Sequence, residues 1–511
     1  MGWDDAFANR LVERDLTIGI IGLGYVGLPT ALGFHDVGFR VRGVDVSQRV
    51  IDNLSAGKNP GDDPNHDDLI PQSQNHRWQI SINSEDFVSQ CDVVVVTVPT
   101  PVTKQRLPDL SFVLAAGKAV FSSISPNSGT IVVLESTVYP GVTREIWSPL
   151  IEQAGLVEGV DVHLAYCPER FVPGDEEHGV RQVPRVVGAS SEEVGKDLRD
   201  LYATLTSGGV TFVGGIEIAE AAKVVENVQR DLNIALVNEL SRIFPSMGID
   251  VEEVLDAAAT KWNFHRYRPG VGVGGHCIPV DPYYLIKKAK DAGAPVDLIT
   301  SAREVNSSMP ANVALDVAEI LKNSEIEISG SNALLLGWSY KPGIGDPRET
   351  PAEPLAQALV GMGCNVQAFD PLVDELLFPK NLANLVRNQS EIQPFDIAIL
   401  VTAHDEVIGL DCLNYASDMR NLEPLMKKTN RFSFIHGNVN DTDLLKSIDF
   451  EMVVHFAAET HITRSINDSS EFIHNDVVGT DSLLKVCILK KKLKNFIHIS
   501  TSEVYGTCYK D

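Results

Sequence analysis

The chain has 511 residues, 44% apolar and 22% charged, which suits about three domains and excludes collagen-like, low-complexity and wholly disordered organisation. Its 69 acidic against 43 basic side chains leave a formal charge of -26, a balance that repels phosphate polymers and argues against a nucleic-acid partner, though not against one small phosphorylated ligand. Apolar runs such as Val93 to Val96 are far short of the ~18–20 residues of a membrane span, the first residues lack a secretory h-region, and 7 scattered cysteines without a CxxC predict reduced thiols in a cytoplasm.

In chain order, TIGIIGLGYV reads as a strand and turn, a helix starts at about Leu28, and FRVRGVDV is a second strand, together one β-α-β unit. CDVVVVTVP and GTIVVLEST are short apolar runs of the kind buried in a parallel sheet. From Glu217 to Phe244 the spacing predicts one long helix, with Ile218, Ala221, Val225, Leu232, Leu236 and Leu240 recurring at three- and four-residue steps; its apolar face suits a homodimer seam. After the loop PGVGVGGHCIP, helical segments run to about Leu321. Asn332 then opens the strand NALLLGW, and a helix and the strand NVQAFD repeat the β-α-β theme. The fold class expected is α/β: a Rossmann-like domain (1–215), a central helical region with the Cys loop (216–325), a second Rossmann-like domain (330–409) and a distinct tail (410–511). The tail carries 14 acids against 12 bases, prefers Lys to Arg where the front prefers Arg, and holds only 3 of the 39 glycines, which suggests different ancestry.

Gly22, Gly24 and Gly27 form GLGYVG between strand and helix, and Asp45 ends the next strand. Glycines there permit a tight turn and close backbone approach to a pyrophosphate, and the carboxylate can bind ribose hydroxyls. Asp45 repels a 2′-phosphate and favours NAD over NADP; Arg49 tempers that preference. Cys277, in the Gly-rich GVGVGGHCIPVDP, reads three ways: a buried small hydrophobe, a metal ligand, or a nucleophilic thiolate in a loop able to approach a ligand. No second ligand cluster stands at zinc spacing, so no metal is expected. Lys223 and Asn227 share one helix face, either as a solvated stripe or, if that face meets Cys277, as oxyanion stabilisers.

Seven segments in order, GLGYVGLP, VPTP, ESTVYPG, YCPERFVPGD, AAKVVENVQRDLNIALVNEL, GVGGHCIPVDPYYL and YKPGIGDPRETP, resemble the UDP-glucose/GDP-mannose dehydrogenase family over about residues 15 to 409. Val280, where UDP-glucose and GDP-mannose enzymes usually carry Lys, and KWNFHRYRPG before it look like the branch that oxidises UDP-N-acetylhexosamines. The resemblance implies four-electron oxidation of a sugar hydroxymethyl group to a carboxylate with two NAD, for surface polysaccharide precursors, by a homodimer or higher homo-oligomer. It implies Cys277 as nucleophile, Lys223 and Asn227 as oxyanion partners that also touch the UDP-sugar, Asp281 and Thr137 as orienting groups, and Glu169 as acid/base for thioester hydrolysis. By the same carry-over, Tyr25, Val26, Pro99, Thr100 and Thr137 line the cofactor with the glycines, Lys341 and Arg348 face the nucleotide or a closed domain interface, and Arg268 and Gly274 contact the sugar nucleotide.

In the tail, LDCLNYASDMRNLEPL, FIHGNVND, VVHFAAETHITRSI, FIHNDVVGT and FIHISTSEVYG resemble nucleotide-sugar 4,6-dehydratases and epimerases of the extended short-chain dehydrogenase class. That likeness makes Asp411 a ribose-binding acid and puts Thr501 and Glu503 at active-site positions, with Ser502 departing from the Asp of dehydratases. The GxxGxxG strand and helix that should come first are absent, and Tyr505 is followed four residues later by Tyr509 rather than Lys. Two incomplete domains are thus expected to meet near position 409, with LEPLMKKTNRFSFIHG a candidate replacement for the helix and strand the front domain lacks. Three other readings stay open: a UDP-glucose or GDP-mannose 6-dehydrogenase, a bifunctional dehydrogenase/dehydratase, and an inactive nucleotide-sugar-binding fusion.

Overall fold

The computed structural model describes residues 3–61, 69–71, 75–103, 105–171, 178–388, 391–402, 407–411, 432–448, 450, 452–455, 470, 473–490, 493 and 495–498. Two compact units divide the chain, the first comprising Met1–Glu239, Pro269–Asn312 and Arg348–Pro351, the second Leu240–Arg268, Val313–Pro347 and Ala352–Asp511.

The first unit is built on an eight-stranded sheet of β1 (Thr17–Ile21), β2 (Arg40–Val44), β3 (Trp78–Ser81), β4 (Val93–Val96), β5 (Thr130–Leu134), β6 (Val162–Tyr166), β7 (Arg185–Ala189) and β8 (Val210–Phe212), in the order β3-β2-β1-β4-β5-β6-β7-β8. Every pairing is parallel except β6 with β7. Strands β1, β4 and β5 are rich in β-branched apolar residues because both sheet faces are covered: Ile18, Ile20, Val93 and Val95 enter one core, Ile21, Val94 and Val96 the other. The helices around this sheet are α1 (Trp3–Val12), α2 (Gly27–Asp36), α3 (Gln48–Ser55), α4 (Ser111–Phe121), α5 (Val142–Gln153) and α6 (Glu192–Ala203). The start of α6 is legible locally: Ser191 caps it by accepting from Val194 N–H, with Glu192 and Glu193 in the first turn.

The long helix predicted over 217–244 is α7 (Ile216–Ile243), but its buried face differs from its apolar stripe. Glu220, Lys223, Asp231 and Asn238 are buried, while Ile218, Val225 and Leu236 stand more than half exposed. Partners supply the reason: Asp231 accepts from Arg303 Nη1 (2.5 Å) and Asn306 Nδ2 (2.8 Å), and Asn238 donates to Asn306 Oδ1 (2.8 Å), so charge complementarity with the helix after the Cys loop outweighs hydropathy. Helix α8 (Val251–Ala259) belongs to the second unit, α9 (Asp281–Asp291) to the first, and α10 (Asp297–Asn323) starts in the first and ends in the second.

In the second unit, β9 (Asn332–Leu336), β10 (Asn365–Phe369), β11 (Asn384–Val386) and β12 (Ile397–Leu400) make a parallel sheet in the order β11-β10-β9-β12, with α11 (Ala352–Gly361) as crossover. Asp370, just past β10, accepts from Trp338 and Ser339 N–H at 2.7 and 2.9 Å, as Asp45 past β2 accepts from Leu23 N–H at 2.8 Å. The β-α-β theme therefore recurs down to its turn chemistry.

The tail contains β13 (Val407–Asp411), β14 (Phe432–His436), β15 (Met452–His455) and β16 (Asn495–His498), with α12 (Thr442–Ser447) and α13 (Gly479–Leu489). Its strands form two parallel pairs, β13 with β14 and β15 with β16. A doubly wound half has strand order 3-2-1-4-5, and deleting strand 1 leaves this pairing. The strand expected to complete the front domain, FSFIH, does form, but it pairs with β13, and β12 ends its own sheet among the described residues. The helical part of that expectation, with Thr501, Ser502, Glu503, Tyr505 and Tyr509, lies outside the described residues; of Asp411 only the backbone is described, at the end of β13.

Candidate active site

The order β2-β1-β4 places the first strand of the sheet beside the strand reached by crossover, and the carboxyl ends of β1 and β4 flank the usual ligand crevice of such sheets. At that edge Gly22 turns the chain with φ 94 and accepts from Thr97 Oγ1 at 2.8 Å. A Cβ on Gly27 would lie 1.8 Å from Gly22 O, so only glycine closes the turn, whereas a Cβ on Gly24 would meet nothing within 4 Å. Bare backbone thus faces open space at the start of α2, as a pyrophosphate requires. Asp45, half-buried, accepts from Leu23 and Ser47 N–H at 2.8 Å each, and Arg49 is exposed on α3. Tyr25 and Pro99 are exposed, and Val26 and Thr100 half-buried. These residues fit a dinucleotide.

The residues expected to do chemistry converge in the same unit. Asp281 opens α9, and its N–H and that of Val280 donate to Cys277 O at 2.8 and 3.1 Å, a turn that keeps thiol and carboxylate together. Asn227 Nδ2 donates to Asp281 Oδ2. Lys223, one helical turn before Asn227, donates through Nζ to Glu169 O at 2.6 Å and lies 3.9 Å from Glu169 Oε2. The solvated-stripe reading of Lys223 is therefore overturned, since its side chain is 8% exposed. Glu169 Oε1 is buried with no hydrogen-bond partner among the described residues. Arg348 lies close enough for its charge to act on Cys277.

Burial dominates the electrostatics of this cluster. It pushes the Cys277 thiol up to about 12, helped by Asp281 and opposed by Lys223. It pushes the Asp281 carboxyl up to about 7 against the pull of Lys223 and Asn227. The Glu169 carboxyl is raised by burial against Lys223 and Arg185. For Lys223, desolvation favours the neutral amine, but Glu169, Cys277 and Asp281 outweigh it and keep the ammonium above its ordinary value.

Thr137 is half-buried in the loop after β5, and no hydrogen bond or ion pair among the described residues joins it to the cluster. Gly274 lies in the Cys277 loop; Arg268, exposed, and Lys341, half-buried, belong to the second unit. No group of three or more His, Cys, Asp or Glu among the described residues is arranged for a metal ion, and no described helix is long and apolar enough to cross a membrane. Sequence reasoning missed Glu220, which accepts from Thr143 N–H at 2.9 Å, from Thr143 Oγ1 at 2.6 Å and from Gly141 N–H, capping α5 where the N-cap Gly141 has no side chain. Its place one turn before Lys223 was the available signal. It also missed the fully buried pair Arg185–Glu135 at 3.0 Å, which Tyr202 joins at 2.8 Å.

Residues 16–206 match the UDP-glucose/GDP-mannose dehydrogenase family NAD binding domain, 217–308 its central domain and 334–430 its UDP binding domain, while 397–511 match GDP-mannose 4,6 dehydratase, so both claim 397–430. The chain is 40% identical over 361 residues to UDP-N-acetyl-D-glucosamine 6-dehydrogenase of Pseudomonas aeruginosa, covering 70% of this chain and 84% of that protein. It is 36% identical over 428 residues to Protein CapL of Staphylococcus aureus, covering 84% and 97%. A solved UDP-D-ManNAc dehydrogenase from Pyrococcus horikoshii superposes with a TM-score of 0.68 at 31% identity, over 76% of this chain and 90% of that one. With a dinucleotide turn and a Cys–Lys–Asn–Asp–Glu cluster in one unit, and with these matches along its length, the chain belongs to the UDP-glucose/GDP-mannose dehydrogenase family.

Proposed function

We propose that this protein is an NAD-dependent UDP-N-acetylhexosamine 6-dehydrogenase that makes uronate precursors of surface polysaccharide. The observation that carries the reading is the convergence of Cys277, Lys223, Asn227, Asp281 and Glu169 beside a dinucleotide turn. Bound NAD supplies the hydride acceptor for each of two oxidations. The first takes a hydride and the hydroxyl proton from carbon six and leaves an aldehyde. Cys277 sulfur then bonds to the aldehyde carbon, and the thiol proton moves to the carbonyl oxygen, giving a thiohemiacetal. Lys223 and Asn227 stabilise the negative charge on that oxygen as the carbon–sulfur bond forms. Loss of the second hydride with the hydroxyl proton leaves a thioester on Cys277. Glu169, its carboxyl raised by burial, takes a proton from attacking water; the carbon–sulfur bond breaks, the carboxylate leaves, and sulfur regains its proton.

A thiol held near 12 is neutral at physiological pH, so it adds only where an ammonium such as Lys223 offsets the charge that develops. Thr137 and Asp281 orient water and neighbouring groups, Arg268 and Gly274 contact the sugar nucleotide, and Lys341 and Arg348 face the nucleotide. The exposed stripe Ile218, Val225 and Leu236 supports a homo-oligomer, and the unpaired described cysteines suit a cytoplasm.

The test is to add NAD with UDP-N-acetylglucosamine, UDP-N-acetylmannosamine, UDP-glucose or GDP-mannose and follow NADH. Two NADH per uronate are expected with an N-acetylhexosamine. Cys277→Ser should bind substrate and lose turnover; an unchanged steady-state rate removes Cys277 from the mechanism, and preference for UDP-glucose or GDP-mannose removes the substrate assignment.

A further inference from the structure

The loop that carries Cys277 is pinned at both ends. Gly270 donates its N–H to Asn238 Oδ1 at 2.9 Å, and at the far end Cys277 O accepts the N–H groups that begin α9. Gly272 packs so closely that a Cβ there would lie 3.3 Å from Pro351 Cβ and 3.5 Å from Pro310 Cγ. Between those pins Gly275 holds φ 89, and the next residue, His276, meets Tyr25 edge to face, with ring centroids 5.5 Å apart and planes at 80°. Tyr25 belongs to the Gly22–Gly27 turn. One ring contact therefore ties the dinucleotide turn to the residue that precedes the nucleophile.

The chemistry gives this contact a task. Two oxidations occur at one carbon, so the Gly22–Gly27 turn must exchange its dinucleotide while the aldehyde-level carbon is still bonded to Cys277. Addition of a thiol to an aldehyde is reversible, and a Cys277 loop that shifted during the exchange would release the aldehyde. We propose that Tyr25 and His276 are a positioning pair that holds the Cys277 loop in register with the dinucleotide turn, so that the thiohemiacetal survives cofactor exchange. The retention role rests on the dehydrogenase reading above; the mechanical link does not.

The link is tested on the full chain without cofactor, from the rate at which iodoacetamide alkylates Cys277, read by peptide mapping. An edge-to-face pair couples its members by roughly two- to tenfold. Tyr25→Ala should change the alkylation rate by about that factor, Tyr25→Phe should restore it, and Tyr25→Ala should add nothing in a His276→Ala background. Equal effects of Tyr25→Ala in both backgrounds overturn the link. Retention is tested by turnover with hydroxylamine present as an aldehyde trap. Wild type should give two NADH per uronate with no trapped aldehyde, whereas Tyr25→Ala and His276→Ala should yield trapped aldehyde and more than two NADH per uronate. Variants that keep the ratio at two with nothing trapped overturn retention. A wild type that forms no NADH refutes the dehydrogenase reading instead, and the alkylation cycle then decides the link alone.

Discussion

The Lys223 ammonium donates to the main-chain carbonyl of Glu169 at 2.6 Å, with the Glu169 carboxylate 3.9 Å from the same nitrogen. One cation thereby fixes the backbone of the segment that carries the candidate base and offsets the charges of Glu169, Asp281 and a developing Cys277 thiolate. Lys223→Ala should lower kcat by about 10²–10³, the usual scale for losing one oxyanion donor, while substrate still binds. Lys223→Arg should not rescue, because a planar fork cannot replace a compact ammonium at this depth. A kcat within threefold of wild type for Lys223→Ala would remove the residue from the reaction.

Asp281 makes stability depend on pH with a sign opposite to that of a salt-bridged carboxylate. Burial raises its folded value to about 7, against 3.8 for the free side chain. Between those values the unfolded chain has lost the proton that the folded chain keeps, so stability falls as pH rises, by at most about 1.4 kcal/mol per pH unit from this group, and levels off above the folded value. Asp281→Asn, which keeps an acceptor for Asn227, should flatten that slope. Denaturant unfolding from pH 4 to 8 reads it; parallel curves for wild type and variant would contradict the assignment.

Asp45 shapes the dinucleotide turn, its two oxygens accepting from Leu23 and Ser47 N–H, and the proposed function also gives it the ribose specificity. Asp45→Ala should weaken NAD by about tenfold and weaken NADP less, because the substitution removes both a ribose acceptor and the charge that repels a 2′-phosphate. Calorimetric titration of both cofactors measures this. Equal losses would mean that the carboxylate only shapes the turn.

The tail should have no dehydratase or epimerase activity. Among the described residues, the strand before β13 that its family match includes is β12, which pairs with β9 in the other sheet. Among the described residues of the tail there remain two strand pairs, each with backbone donors and acceptors along its edges, and the tail sequence carries no GxxGxxG. A 4-keto sugar formed by the full chain would refute this. Truncation after Gly409 cuts β13 and removes its partner β14, and should keep substrate binding, because the described part of the tail supplies no strand to the sheet that ends at β12.

The α/β class, the glycine turn and the long helix were legible because each rests on local chemistry: β-branched runs, glycines that alone tolerate a tight turn, and three- and four-residue periodicity. The roles proposed for Cys277, Lys223, Asn227 and Glu169 lean on the family resemblance, since a thiol in a loop and a lysine on a helix have bland alternatives that local sequence leaves open. On α7 the apolar stripe of Ile218, Val225 and Leu236 was legible and stands exposed, whereas the burial of Glu220, Asp231 and Asn238 was not legible, because their partners on α5 and α10 and at Gly270 are distant in sequence.

By itself the sequence determined which residue types were available and at what local spacing, including the turn at Gly22–Gly27 and the four-residue spacing of Cys277 and Asp281. Only the tertiary structure decided that the face bearing Lys223 meets the segment bearing Glu169, that Tyr25 touches His276, and that β12 belongs to one sheet rather than the other. The reason is physical: hydrogen bonds and burial free energies that select among such pairings depend on groups 54 or more positions apart, and local propensity carries no record of them.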